Sequence, residues 1–370
     1  MRDYCAILAR FMKIVYNRDM LKPQYKLTNK ILKNLTDIAE AKGIIEKAKL
    51  LPRHELKLKR QAMIRMSHSS TAIEGNILDI RQVEALYANK KIDAPDRDIY
   101  EVKNYLEALK YIEKFVKSGK PISVKVLLKI HSLVTNKTLP VEQSGHFRQS
   151  PVYVVKRRLG FPDEIVYAGP VAANVPYLCN DLIEWINKSE KEETNPVIVA
   201  GVTHLEIAAI HPFSDGNGRT ARALATLILY KRGYDFRHLF ALEDYYNKDL
   251  PSYYKAINVG KNYEERKTEI TYWLEYFVEG FRDEIMSVKN QVTTLALKKV
   301  DKNIGSQVYL TPKQQQILDF VDQLGRIKVS DVVDILKCPQ RTAQLELQKL
   351  KKLGIIKQVG KGKATYYKLK

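Results

Sequence analysis

His211-Pro212-Phe213-Ser214-Asp215-Gly216-Asn217-Gly218-Arg219-Thr220-Ala221-Arg222 is the stretch on which the reading of this 370-residue chain turns. Before it, Pro196 to Ile210 is strongly apolar, as expected of a helix at the centre of a bundle. After it, a second helix is expected from near Gly218 to Tyr230, with Gly233 ending it. A buried helix therefore ends at a proline, a tight loop with two glycines follows, and a new helix opens. Such a loop points several backbone N–H groups at one spot where the helix dipole is positive, which makes a cradle for phosphate.

The side chains fit that reading. Arg219 and Arg222 lie three residues apart on one face of the first helical turn, where both can fork onto phosphate oxygens. Asp215 is a hard carboxylate beside the cradle, suited to Mg²⁺ shared with phosphates. His211, at the loop entry, can accept a proton near neutral pH. Singly, each has an ordinary explanation: a packed histidine, a glycine turn, a solvated arginine face. Together within twelve residues they are hard to explain structurally.

The string resembles the Fic motif, His-Pro-Phe-x-Asp/Glu-Gly-Asn-Gly-Arg-x-x-Arg, at every defined position. The resemblance extends over most of residues 1–280. It implies a protein adenylyltransferase that uses ATP and Mg²⁺ to place AMP on a Ser, Thr or Tyr hydroxyl of a protein, the chain itself included. His211 would be the general base and Asp215 the Mg²⁺ ligand. Gly216, Asn217 and Gly218 would line the anion hole, with Arg219 on the β-phosphate and Arg222 on the γ-phosphate. Phe213 would be a core anchor. Gly218 favours AMP transfer, since relatives with Lys there act as kinases. Relatives often carry Phe-Glu where this chain has Ile207-Ala208, so the loop is expected to lack one supporting carboxylate.

A second match lies upstream, in Ser70-Thr71-Ala72-Ile73-Glu74-Gly75-Asn76. It resembles the family's inhibitory motif, Ser/Thr-x-x-x-Glu-Gly/Asn. Ser70 and Glu74 are expected on one face of a helix, with Glu74 pairing with Arg222 and taking it from the γ-phosphate. In some relatives the same glutamate helps to remove AMP, so a reverse activity is part of the implication.

Outward from these motifs, the first hundred residues read as helices, with Ile31, Leu32, Leu35 and Ile38 at helical spacing. Helices are also expected over Ile99–Lys117 and Val124–Thr135. The texture changes between Ser144 and Val175. Pro151–Val155 and Ile165–Tyr167 read as a β-hairpin around Gly160-Phe161-Pro162-Asp163. In the Fic family this hairpin, from Gly145-His146-Phe147-Arg148 to Tyr167-Ala168-Gly169-Pro170, is a flap that aligns the target by strand addition. Tyr253 and Tyr254 could stack on a nucleotide base, with core packing the competing role.

Thr311-Pro312 opens a separate module that reads helix, helix, helix, hairpin and resembles a winged helix, its recognition helix opening at Arg341-Thr342-Ala343-Gln344. From Arg341 onward nine basic residues face one acid, Glu346. DNA contact through 309–370 is one reading and protein docking or dimerisation the other, because charge attracts without specifying. The formal charge of +20 points the same way or reflects lysine-rich solvated surfaces.

The expected fold is mainly α: a Fic-type helical bundle with a β-hairpin flap, plus a small C-terminal winged-helix (α+β) domain. The expected organisation is an N-terminal helical region at 1–95 with the inhibitory helix at 70–76, a Fic catalytic core at 96–289, a linker or extended helix end at 290–308 and the winged helix at 309–370. Apolar runs are too short to span a bilayer, and three scattered cysteines, Cys5, Cys179 and Cys338, suit a reducing cytoplasm. A homodimer stays open. Two other functions compete: a DNA-binding regulator with the Fic fold as nucleotide sensor, and a transferase using another donor such as UTP or CDP-choline. An intact His211 favours the enzyme over the sensor.

Overall fold

The computed structural model describes residues 21–156, 164–297, 310–360, 362 and 365–370. Five helices lead to the hairpin: α1 (Asn29–Lys47), α2 (Pro52–Ala72), α3 (Ile80–Tyr87), α4 (Asp96–Val116) and α5 (Val124–Val134). The Thr28 hydroxyl caps α1 by accepting from Ile31 N–H, and Asp79 with Gln82 forms a capping box on α3. The hairpin pairs β1 (Tyr153–Lys156) with β2 (Glu164–Ala168) antiparallel, with an irregularity between Val154 and Val155. Its expected turn, Gly160–Asp163, lies outside the described residues.

Six more helices complete the large unit: α6 (Val175–Lys191), α7 (Pro196–Ile210), α8 (Asn217–Lys231), α9 (Leu242–Lys248), α10 (Leu250–Ile257) and α11 (Thr271–Leu297). From Val197 to Ile210 only Ala208 escapes full burial, so α7 is the central helix its sequence predicts. It packs along α8, while α1 lies along α11. One core runs from Ile31 to Val292. The two helices that flank the Gly-rich loop are thus fixed by the most buried part of the molecule.

Of the two readings for 290–308, linker or extended helix end, residues 290–297 take the second and continue α11 to Leu297, with Val292 packed into the core. The rest of that stretch, 298–308, lies outside the described residues. The C-terminal unit comprises α12 (Pro312–Leu324), α13 (Val329–Leu336), α14 (Gln340–Lys352) and an antiparallel pair, β3 (Ile356–Val359) with β4 (Tyr366–Leu369). Ile327 adds an antiparallel bridge to Tyr367. The unit has its own core, centred on Ile317, Leu347 and Leu350. It rests on α2 and α3: Leu56 packs against that core, and the Tyr87 hydroxyl donates to Asp322 Oδ2 at 3.2 Å.

Candidate active site

The loop between α7 and α8 is shaped by two left-handed residues. His211 has φ 49°, ψ 60°, and Gly216 has φ 77°. Glycine adopts that conformation without penalty, but histidine does not, and a strained histidine at a helix end points to a functional constraint. The Asn217 side chain stitches the loop shut: its Oδ1 accepts from Phe213 N–H and its Nδ2 donates to Phe213 O, both at 2.9 Å. Its side chain is therefore committed to the loop, and only its backbone is left to face an anion. Phe213 is fully buried, as expected of an anchor.

His211 is partly buried with its Nδ1 3.2 Å from Ala208 O. A carbonyl only accepts, so Nδ1 carries the proton and Nε2 keeps its lone pair. Burial lowers the His211 pKa below the usual histidine value, outweighing the Ala208 carbonyl and the Glu74 charge, so the ring is neutral at pH 7. The position where relatives carry Glu is thus Ala208, whose backbone carbonyl orients the ring. The nearby carboxylate of α7 is Glu206, buried and bound to Arg266 at 2.9 Å.

Asp215 sits among cations. Its Oδ1 accepts from Gly216 N–H at 2.5 Å and lies 3.4 Å from Arg219 Nη2, and its Oδ2 accepts from Arg97 Nη2 at 2.8 Å. Burial pushes its pKa up, but Arg219, the Gly216 N–H and Arg97 overcome this and hold it below the ordinary value. Arg219 is fully buried, and its Nε and Nη1 make no hydrogen bond among the described residues, although Glu101 Oε1 lies 3.3 Å from Nη1. Buried guanidinium donors without acceptors suit a phosphate.

Arg222, also buried, is engaged through Nε and Nη2. Its Nε donates to Ser70 Oγ at 2.8 Å, and its Nη2 donates to Ser70 O at 2.8 Å and to Glu74 Oε1 at 2.7 Å. Burial works against its charge, yet Glu74, Tyr253 and Tyr105 together raise its pKa. Ser70 and Glu74, singled out in the sequence, therefore meet at Arg222, with Gly75 in the turn beside them, although the helix does not extend through 70–76. It ends at Ala72. Gly75, at φ 93°, accepts no Cβ-bearing residue without strain, and Gly75 N–H to Ala72 O with Asn76 N–H to Thr71 O closes a Schellman turn. Glu74 is delivered by that turn. Its carboxylate lies where a side chain at position 218 would begin, so Gly218 makes room for it.

The two tyrosines divide. Tyr253 is buried, stacked on Tyr246 with centroids 4.7 Å apart, its hydroxyl 2.9 Å from His204 Nε2. Tyr254 is half exposed and donates to Ile73 O in the Glu74 turn. Only Tyr254 is open to a ligand.

Several residues were missed. Arg97 and Glu101 come from α4, 118 and 118 residues from the groups that they contact. Arg148 is buried and donates to the carbonyls of His211, Ser150 and Pro170 at 2.8, 2.9 and 2.5 Å. The Tyr167 hydroxyl donates to Ala209 O at 2.7 Å. Arg148 and Tyr167 join the flap to the end of α7. Nothing local in the sequence marks these pairings.

Residues 121–229 match the Fic/DOC family. Among curated relatives, the protein adenylyltransferase Fic of Aedes aegypti is 32% identical over 178 residues, covering 47% of this chain and 34% of the relative. That of Nematostella vectensis is 29% identical over 191 residues, covering 50% and 42%. The chain thus spans well under half the length of these relatives. Among solved structures, a Fic family protein from Desulfovibrio desulfuricans has a TM-score of 0.60 at 24% identity, covering 95% of this chain and 98% of that one. Fic-1 from C. elegans has a TM-score of 0.57 at 21% identity, covering 73% and 74%. These likenesses show the fold.

Proposed function

We propose that this chain, which matches the Fic/DOC family over residues 121–229, is a protein adenylyltransferase that moves AMP from ATP to a Ser, Thr or Tyr hydroxyl, and that Glu74 holds it in check. The observation that supports this most is the pairing of a neutral, oriented His211 with a buried Arg219 whose Nε and Nη1 make no hydrogen bond among the described residues. A nucleotide sensor needs the second but not the first.

The target hydroxyl attacks the α-phosphorus, and its proton passes to His211 Nε2. The bond from the α-phosphorus to its bridging oxygen breaks and pyrophosphate leaves. Arg219, Arg222 and the N–H groups at the start of α8 take up the charge that gathers on the phosphates. Asp215 would hold Mg²⁺, which supplies charge neutralisation between the phosphates. Its carboxylate is ionised and partly exposed, and no group of three or more His, Cys, Asp or Glu side chains among the described residues forms a metal cage. One carboxylate plus substrate phosphates is a usual magnesium set. Arg97, now on that carboxylate, would be displaced.

Glu74 opposes this chemistry by occupying Arg222 and placing negative charge over Gly218. In the reverse sense, the same carboxylate would activate water for AMP removal. The exposed edge of the hairpin, with Tyr153 and Ile165 open, is where a target segment would add as a strand.

The C-terminal unit carries a second proposed activity, contact with DNA. Arg341, Gln344, Gln348, Lys349, Lys351 and Lys352 are exposed on α14. Two acids are drawn away from that face: Asp322 faces α2 and α3, and Glu346, on α14 itself, is buried against Gln314 while also holding Lys349 at 2.8 Å. Duplex binding with a steep salt dependence supports this, and salt-independent capture of a protein favours docking. No helix among the described residues is long and apolar enough to cross a membrane. The reducing cytoplasm read from the cysteines stands as part of the proposal.

Intact-protein mass spectrometry of Glu74→Gly incubated with ATP, Mg²⁺ and lysate tests the transferase reading. An AMP adduct on a hydroxyl residue is expected. A UMP or phosphocholine adduct with another donor, and none with ATP, would overturn it.

A further inference from the structure

The end of α5 meets both backbone segments on which the proposed chemistry depends. His131 is fully buried there, and both of its ring nitrogens are used. Gly145 N–H, at the root of the hairpin, donates to Nδ1 at 2.9 Å. Nε2 lies 3.0 Å from Asp215 O, in the catalytic loop. The ring stacks on Phe213 with centroids 3.6 Å apart and planes 3° from parallel. A backbone N–H cannot accept, so Nδ1 is unprotonated, and Nε2–H donates to Asp215 O. The partners allow one tautomer and one ring orientation.

The consequence follows from the peptide bond. Asp215 C=O and Gly216 N–H belong to one planar trans unit and point in opposite directions. Holding the carbonyl toward α5 holds the N–H on the far side, where it now meets Asp215 Oδ1. Gly216 has φ 77°, and glycine is the residue at which a peptide plane flips most readily. The residue that caps α5 also leaves no room for a side chain at that glycine, since a Cβ there would lie 2.7 Å from Thr135 Cγ2.

We infer that His131 is a positioning residue for nucleotidyl transfer. It locks the Asp215–Gly216 peptide against flipping, so that the Gly216 N–H and the Asp215 carboxylate keep facing the phosphate site, and it ties that peptide to the root of the target-binding hairpin. The inference rests on the transferase reading and deepens it. Burial lowers the His131 pKa to about 4, so the lock stays neutral over the working range.

The test separates the two hydrogen bonds in the Glu74→Gly background. His131→Gln places an amide donor near the Nε2 position and can still reach Asp215 O. His131→Asn reaches the Nδ1 position and can serve only Gly145. His131→Phe keeps the stack and volume but neither bond. AMP transfer and ATP affinity are measured with Mg²⁺, together with amide hydrogen exchange of residues 213–219 without nucleotide. Phe and Asn are expected to lose about 100-fold in transfer, the scale for a misplaced oxyanion donor, with faster exchange, while Gln recovers at least about tenfold of that loss. A packing role alone predicts the reverse order, Phe above Gln. That order, or Phe equal to His131 in exchange and ATP affinity, overturns the inference. If Phe fails to fold, Gln and Asn decide it by the same criteria. The exchange measurement reads the lock even where the Glu74→Gly parent transfers nothing, and in that case the transferase reading falls while the lock is still judged.

Discussion

Burial sets the protonation state of His211. Its lowered pKa places the acid limb of kcat/KM below the ordinary histidine value near 6.5, with activity rising as pH increases through it. The Glu74 charge partly raises that pKa, so Glu74→Gly should move the limb further down; a limb that moves up or stays fixed in the pH profile of the free enzyme contradicts the assignment. His131 makes a stability argument of the same kind. Its folded value is about 4 and its unfolded value about 6.5, so the unfolded chain binds more protons between them. Stability is therefore full above about 6.5 and lost as pH falls toward 4, by up to about 3 kcal/mol for this group. Urea unfolding at pH 7 and pH 4.5 should show a smaller difference in His131→Phe than in the parent. His211, Asp215, Arg219 and Arg222 were legible because they share twelve residues of sequence. His131 was not, because its partner is 84 residues away and an isolated histidine on a helix has no distinguishing pattern.

At the scale of elements, the proposed brake depends on how α2 ends. The sequence pattern placed Ser70 and Glu74 on one helical face. The structure instead bends the chain after Ala72, and Gly75 is what permits it. A Cβ at Gly75 would meet nothing within 4 Å, so Gly75→Ala acts through backbone strain alone, at about 1–2 kcal/mol. The expected result is a lower melting temperature with higher basal AMP transfer, because the turn no longer seats Glu74; unchanged basal transfer would show that Glu74 finds its seat without the turn. Arg148 holds the hairpin root, through Ser150 O and Pro170 O, to the end of α7, through His211 O. Arg148→Met leaves these carbonyls unpaired and should cost about 2–4 kcal/mol in urea unfolding, well beyond a surface substitution. The hairpin strands could be read from their β-branched and aromatic runs. Their attachment could not, since it runs through side chains bonded to distant backbone.

In the whole molecule, two cores share one helix. The amino-terminal half of α2 carries Leu56 and Arg60 against the C-terminal unit, and its far end carries Ser70 against Arg222. Asp322 lies 4.0 Å from Arg60 and accepts from Tyr87. Asp322→Lys should repel Arg60 and release the unit, raising the radius of gyration in solution scattering while the larger core keeps its melting temperature; an unchanged radius would mean that Leu56 alone suffices. The order of elements in the C-terminal unit was legible from its capping residues and glycines, such as Thr311-Pro312 and Gly354. The continuation of α11 to Leu297 was legible only as one of two readings, because polar Asn290, Gln291, Thr293 and Thr294 alternate with apolar Val292 and Leu295 and fit a linker as well as a helix with one buried face.

The central claim is best tested by labelling purified wild type, Glu74→Gly and His211→Ala with α-³²P-ATP and Mg²⁺, with and without lysate. The account predicts label on a protein band, on the order of tenfold stronger in Glu74→Gly as a buried charge-assisted bond is lost, and about 100-fold or more weaker in His211→Ala. No label in Glu74→Gly with ATP binding intact would contradict it.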